Sequence, residues 1–136
     1  MKFDSVEDAI ADVRQGRMII VADDEDRENE GDLVMAASAI TPEAVNIMAE
    51  HGRGLICVTM FPDRADELDL PLMTDRNTDP QQTAFTISVD AHTKYGVTTG
   101  ISAQDRAKTC LLYTSPSPRD CNEYRVCRLL LEKGGG

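Results

Sequence analysis

The chain is expected to fold as a layered α/β domain, and three observations predict it. Short apolar runs rich in β-branched residues, at 18–22, 33–37 and 54–60, alternate with stretches of helical periodicity. Capping signals stand ahead of those stretches. The alternation continues to Thr109 without an internal repeat or a linker. At 136 residues there is room for one domain with a modest core.

Ser5 opens the first helix with Asp8 three residues on, a capping box, and Val6, Ala9, Ile10 and Val13 recur at helical spacing until Gly16. One face of that helix is expected to be buried. Residues 18–22 form a continuous apolar run, expected as a strand covered on both sides, and residues 33–37 form a second. The intervening segment is therefore a loop or hairpin tip carried by two strands. Thr41, Pro42 and Glu43 supply an N-cap, a first-turn proline and a first-turn acid, with Val45, Met48 and Ala49 as the apolar face and Gly52 placed to end the helix. Residues 54–60 make a third strand, residues 62–69 a short polar helix, and residues 84–90 alternate as a half-exposed strand would. Ser102 with Asp105 caps a last helix.

Composition excludes several classes of function. A formal net charge of −10 argues against a nucleic-acid backbone as partner, since a polyanion would be repelled over most of the surface. No apolar run approaches the roughly 18 residues that span a bilayer, and the opening Met1-Lys2-Phe3-Asp4 turns acidic, so no membrane association and a cytoplasmic address are expected. The cysteines at 57, 110, 121 and 127 form no Cys-x-x-Cys pair, which favours neither a zinc site nor a disulfide framework.

Chemistry concentrates in the segment between the first two strands. Residues 23–32, Asp23-Asp24-Glu25-Asp26-Arg27-Glu28-Asn29-Glu30-Gly31-Asp32, hold seven carboxylates around one arginine. Like charges so close repel and raise one another's pKa, and a hard cation such as Mg²⁺ offsets that cost. A solvated acidic loop is the alternative reading. Along an extended segment Glu28, Glu30 and Asp32 would share one face and Arg27 the other, unless Gly31 breaks the register, as a glycine there is expected to do. At least one of Asp23, Asp24 and Asp26 is expected to serve the turn itself. Thr98, Thr99 and Ser102 lie in a glycine-bounded turn at a helix start, suited to an anion, with plain capping by Ser102 as the equal alternative. His51 reads as a surface residue near a helix end rather than a metal ligand, and His92 carries no signal.

The acidic string closely resembles the signature of 3,4-dihydroxy-2-butanone 4-phosphate synthase, an enzyme of riboflavin biosynthesis. Agreement extends to His51-Gly52-Arg53-Gly54-Leu55-Ile56-Cys57, Leu70-Pro71-Leu72-Met73, Asn77-Thr78, Thr83-Ala84-Phe85-Thr86, and Gly96-Val97-Thr98-Thr99-Gly100-Ile101-Ser102-Ala103 with Asp105-Arg106, covering residues 3–109. The resemblance implies an α/β (α+β) fold, a layered α/β/α sandwich with a mixed sheet, here truncated. It implies a carbon-carbon lyase that converts D-ribulose 5-phosphate into L-3,4-dihydroxy-2-butanone 4-phosphate and formate with Mg²⁺, or Mn²⁺ as an alternative. Proton abstraction beside the ketone would create an enediolate that a divalent cation stabilises, with carboxylates as acid and base. By resemblance Glu28 is the metal ligand; Glu28, Glu30 and Asp32 are catalytic; Arg27, Glu28 and Asp32 contact the substrate. Thr98, Thr99 and Ser102 are further substrate contacts. Cys57 is either a small core residue or a catalytic thiol lining the substrate pocket. The family further implies a homodimer and, in many relatives, fusion to GTP cyclohydrolase II.

Beyond Thr109 the character changes. The eleven residues from Cys110 to Asp120 contain two prolines, no periodicity, and a string that resembles the conceptual translation of a sequencing-library adaptor. Residues 1–109 are therefore expected to form an incomplete synthase domain and 110–136 a non-native or disordered tail, with the helix begun at Ser102 cut short. The family's second-half histidine ligand, basic phosphate-binding segment and further acid find no match after Thr109, so the chain as written is expected to be inactive and only marginally folded. The alternative function is a non-catalytic acidic module that binds a divalent cation.

Overall fold

The structure is a computed structural model that describes residues 3–26, 29–80 and 82–114. Its elements run α1 (Val6–Arg14), β1 (Ile19–Ala22), β2 (Gly31–Val34), α2 (Pro42–Ile47), α3 (Pro62–Glu67) and α4 (Ala103–Thr114), with short 3₁₀ turns at Ala37–Ala39 and Thr93–Tyr95. The α+β class expected from the sequence is present. Of the mixed sheet, the described residues hold an antiparallel pair, β1 against β2, in register Ile19 to Val34 through Ala22 to Gly31.

Local signals placed the helices. The Ser5 hydroxyl accepts from the Asp8 amide at 3.1 Å and starts α1. Thr41 accepts from the Ala44 amide at 3.2 Å ahead of Pro42 in α2. Ser102 accepts from the Asp105 amide at 3.0 Å and starts α4. In each case a side-chain oxygen satisfies an amide that the first turn leaves without a backbone acceptor. The helical run ends at Gly52, as expected, but the left-handed closing residue is Arg53 rather than the glycine. The chain passes from α2 into a π turn, Met48–Gly52, and Arg53 closes it with φ +58°.

The core is two clusters that share α4. Ile40, Val45, Ala107 and Cys110 form one, with Ile56, Val58 and Ala103 packed against it. Leu68, Leu70, Val89 and Tyr113 form the other, joined by Met60, Ala65 and Tyr95. Because Cys110 and Tyr113 belong to these clusters, the helix does not stop at Thr109 but runs on to Thr114. An apolar stripe at 107, 110 and 113 outweighs the lack of longer periodicity in that segment. The rest of the expected tail, residues 115–136, lies outside the described residues.

Three expectations about strands and burial are corrected. Residues 54–60 and 84–90 form no strand; the latter contributes a single bridge, Thr86 to Leu72. The first strand is not covered on both sides, since Ile20 is 72% exposed. Nor does α1 bury a face: it packs on β1, yet Val6 is 70% exposed. A two-stranded ladder offers too narrow a surface to cover an amphipathic helix and its own second face together.

Candidate active site

The acidic segment is a hairpin tip, as its flanking strands required. The Asp23 amide donates to the Glu30 carbonyl at 2.9 Å, adding a rung beyond Ala22 and Gly31, and the Asn29 amide donates to the Asp24 carbonyl at 3.2 Å. Two of the acids serve the turn. The Asp23 carboxylate accepts from the Asp24 amide and the Asp24 carboxylate from the Asp26 amide, each at 2.8 Å. Both are side chains folding back on nearby backbone, the habit that makes aspartate a turn residue. Gly31 does not break the register, because it pairs regularly with Ala22. The left-handed residue is Asn29, at φ +53°, a conformation asparagine tolerates better than most side chains.

Arg27 and Glu28, expected to contact substrate and metal, lie outside the described residues. Glu30 is exposed and Asp32 half-buried. Asp32 lines a cavity of about 300 Å³ between β2, the π turn, the 54–59 segment and α4. Cys57 is half-buried and lines the same cavity, so two of the sequence candidates are brought together from segments far apart in the chain. Apolar walls come from Leu33, Val45, Met48 and Ile56. The volume is at the lower end of small-ligand sites. Cys110 opens onto it from α4, and burial pushes that thiol up to about 11, which keeps it protonated at neutral pH.

Thr98, Thr99 and Ser102 do not line this cavity. Thr98 and Ser102 instead build the surroundings of Asp105. The Thr98 hydroxyl donates to Asp105 Oδ2 at 2.8 Å and the Gly100 amide donates to the same oxygen at 3.2 Å. Burial alone would raise the Asp105 carboxyl, yet bonds from the Thr98 hydroxyl and amide, the Gly100 amide and the Ser102 hydroxyl outweigh it and hold it below the ordinary carboxylate value. The capping expected of Ser102 is present in the structure. His51 is exposed on the π turn, and His92 caps Thr93–Tyr95 by accepting from the Lys94 amide at 3.1 Å.

Among the described residues no group of three His, Cys, Asp or Glu side chains could hold a metal ion. The donors at the hairpin are nevertheless the hard oxygens that Mg²⁺ prefers, and Mg²⁺ is commonly held by one or two carboxylates with water and substrate completing its shell. A cage made wholly of protein is therefore not required.

Sequence reading quoted Arg106 within the matched motif but gave it no role. It lies three residues after Ala103 and four before Cys110, on the stripe of α4 that faces the core, and it lines the cavity. A charge on an otherwise apolar helical stripe is the signal that would have found it.

The sequence and the fold both have known relatives. The sequence model of 3,4-dihydroxy-2-butanone 4-phosphate synthase matches residues 7–126. The riboflavin biosynthesis protein RibBA of Aquifex aeolicus is 61% identical over 124 residues, covering 91% of this chain and 30% of that protein. The 3,4-dihydroxy-2-butanone 4-phosphate synthase of Agrobacterium fabrum is 52% identical over 119 residues, covering 88% of this chain and 55% of that one. The chain thus spans less than two thirds of either relative. A crystal structure of 3,4-dihydroxy-2-butanone 4-phosphate synthase in complex with two magnesium ions matches with a TM-score of 0.88 at 40% identity, over 97% of this chain and 61% of that chain. A cation-free form matches at 0.82 and 38% identity, over 98% and 60%. Sequence match over most of the length and a common fold lead to one conclusion: the chain belongs to the 3,4-dihydroxy-2-butanone 4-phosphate synthase family.

Proposed function

We propose that this chain is the leading portion of a Mg²⁺-dependent synthase that converts D-ribulose 5-phosphate into L-3,4-dihydroxy-2-butanone 4-phosphate and formate, and that it is inactive by itself. The observation that carries the reading is the acidic hairpin set beside a cavity: Asp23 and Asp24 build the turn, while Glu30 stays exposed and Asp32 borders the cavity. The reaction is a redox-neutral fission whose two products together contain the atoms of the substrate. It needs proton removal beside a ketone and proton return later, which two carboxylates of unequal exposure can divide between them.

Asp32 is assigned to the substrate hydroxyls, and Glu30 to proton transfer with Asp32. Glu28 and Arg27 are assigned to metal and substrate on the strength of the family signature, and Cys57 to the pocket wall. Mg²⁺, or Mn²⁺ in its place, would be held by Glu28 with oxygens of water and substrate, and supplies electrophilic stabilisation of negative charge on the sugar oxygens. Thr98, Thr99 and Ser102 keep a role in substrate binding only if the complete fold extends the site to their turn. Residues 1–109 are read as the incomplete synthase domain, paired as a homodimer in the parent. The name bifunctional riboflavin biosynthesis protein, carried by a relative from Arabidopsis thaliana, supports a parent with a second activity, which the family resemblance identifies as GTP cyclohydrolase II. A cytoplasmic address is part of the same reading; separately, among the described residues no helix is long and apolar enough to cross a membrane.

Formate release tests the reading. Residues 1–109 grafted onto the carboxy-terminal half of a family member and supplied with D-ribulose 5-phosphate and Mg²⁺ should yield formate, and Glu28→Gln should abolish it. A folded but silent graft would instead leave a cation-binding module.

A further inference from the structure

The cavity beside the hairpin is walled by a large share of the chain's sulfur. Of four cysteines and six methionines, two of each line it: Met35 just after β2, Met48 on the π turn, Cys57 on the 54–59 segment and Cys110 on α4. Met35, Met48 and Cys57 are half-buried and Cys110 is buried, and both thiols are free of disulfides. Packing accounts for part of this, since Cys110 belongs to a core cluster against which Met35 is packed. Packing does not require sulfur to border open space, yet all four residues line the same cavity of about 300 Å³.

Thiols and thioethers are soft donors, and they select Cu(I) over the hard ions that carboxylates hold. A zinc site wants a full tetrahedral set of ligands, whereas among the described residues no three His, Cys, Asp or Glu side chains could hold an ion together. Cu(I) is satisfied by a few sulfurs and accepts thioethers, and methionine has rotatable bonds enough to swing onto it. Charge also favours the ion. Two thiols that yield their protons around Cu(I) leave one net negative charge. Arg106, half-buried on the same cavity with Nε donating to the Ile101 carbonyl at 3.0 Å, supplies a positive charge to offset it. We propose that this cavity is a Cu(I) site in which the thiols of Cys57 and Cys110 become the anionic ligands and the thioethers of Met35 and Met48 complete the shell. Copper enters and stays as Cu(I), and the thiol protons pass to solvent. Burial pushes the Cys110 thiol up to about 11, so at neutral pH its proton leaves as the metal arrives. The site does not rest on the synthase reading.

The test is an anaerobic titration of the full chain with Cu(I) kept reduced by ascorbate, with bicinchoninate as competing chelator. Cys121 and Cys127 lie outside the described residues, so the parent for the test carries Cys121→Ser and Cys127→Ser. One Cu(I) per chain is expected, with sulfur-to-copper charge-transfer absorption in the ultraviolet and release of the Cys110 proton, read as a heat that changes with the buffer. Cys57→Ala and Cys110→Ala should each weaken binding by about a hundredfold, and Met48→Leu, which keeps the volume, by about tenfold, a loss that a merely structural methionine would not cause. Excess Mg²⁺ should leave the affinity unchanged, because it seeks oxygen. No uptake by the parent, displacement of Cu(I) by Mg²⁺, or cysteine variants within about twofold of the parent would overturn the proposal. Should Cys110→Ala fail to fold by circular dichroism, Cys57→Ala decides: weakened uptake supports the site and parental affinity refutes it. Cu(I) uptake alongside a silent formate assay on the graft removes the synthase reading and leaves the copper site standing. An active graft whose parent chain takes up no Cu(I) does the reverse.

Discussion

The α4 core and the acidic hairpin are built on opposite principles. Around α4, apolar side chains are buried in two clusters, and a buried carboxylate with a lowered pKa, Asp105, has its charge met by directed donors. In the hairpin arm, apolar residues such as Ile20 and Val21 are exposed and the carboxylates crowd at the tip. The contrast teaches that folding and chemistry are divided between two regions. The arm that carries the acids adds little to the core, and the helix that organises the core carries few of the acids.

The sharpest way to break this division is to truncate the core. Tyr113→Ala should cost about 3 kcal/mol, read as a lowered midpoint in urea unfolding, because it empties a site shared with Leu68, Leu70 and Val89. A loss below about 1 kcal/mol would show that α4 is not the organiser. Asp105→Asn comes next, at about 2 kcal/mol, since it weakens charge-assisted bonds to Thr98 and Gly100. Its pH dependence has a defined sign. A carboxyl held below its ordinary value of 3.8 stabilises the fold fully above that value and loses the contribution as pH falls through the folded-state value. Acid unfolding of the parent should therefore steepen below about pH 4, and Asp105→Asn should flatten that limb.

Glycines sharpen the comparison further. Gly100 sits at φ +79°, where an added Cβ would strike the buried Asp90 carboxylate, so Gly100→Ala should cost about 1 to 2 kcal/mol. Gly31, in the hairpin, leaves 3.4 Å between an added Cβ and Ile20, and Gly31→Ala should stay within about 0.5 kcal/mol. The smallest effect is expected at the exposed face. Ile20→Thr should also change stability by less than about 0.5 kcal/mol while raising the protein concentration at which light scattering first appears.

Where the sequence was legible, the signal was local. Ser5, Thr41 and Ser102 announced their helices because a cap is a contact between residues three apart. The hairpin tip was legible for the same reason, acids between two apolar runs. What failed depended on distant partners. Residues 54–60 look like a strand, but a strand needs a ladder that no described neighbour supplies, and they serve as a cavity wall and core edge instead. The extension of α4 to Thr114 was hidden because the segment's composition resembled foreign sequence, whereas burial of Cys110 and Tyr113 is decided by the clusters across from them. Thr98 was read as an anion donor, and the bond its hydroxyl makes to Asp105, seven residues away around a turn, is a contact that no local pattern announced.

The rung between the Asp23 amide and the Glu30 carbonyl has a consequence for how a cation is met. Its 2.9 Å bond closes the mouth of the loop using backbone alone. The entropy of bringing the two stems together is lost during folding, so on the proposed reading an incoming ion would find the stems already closed.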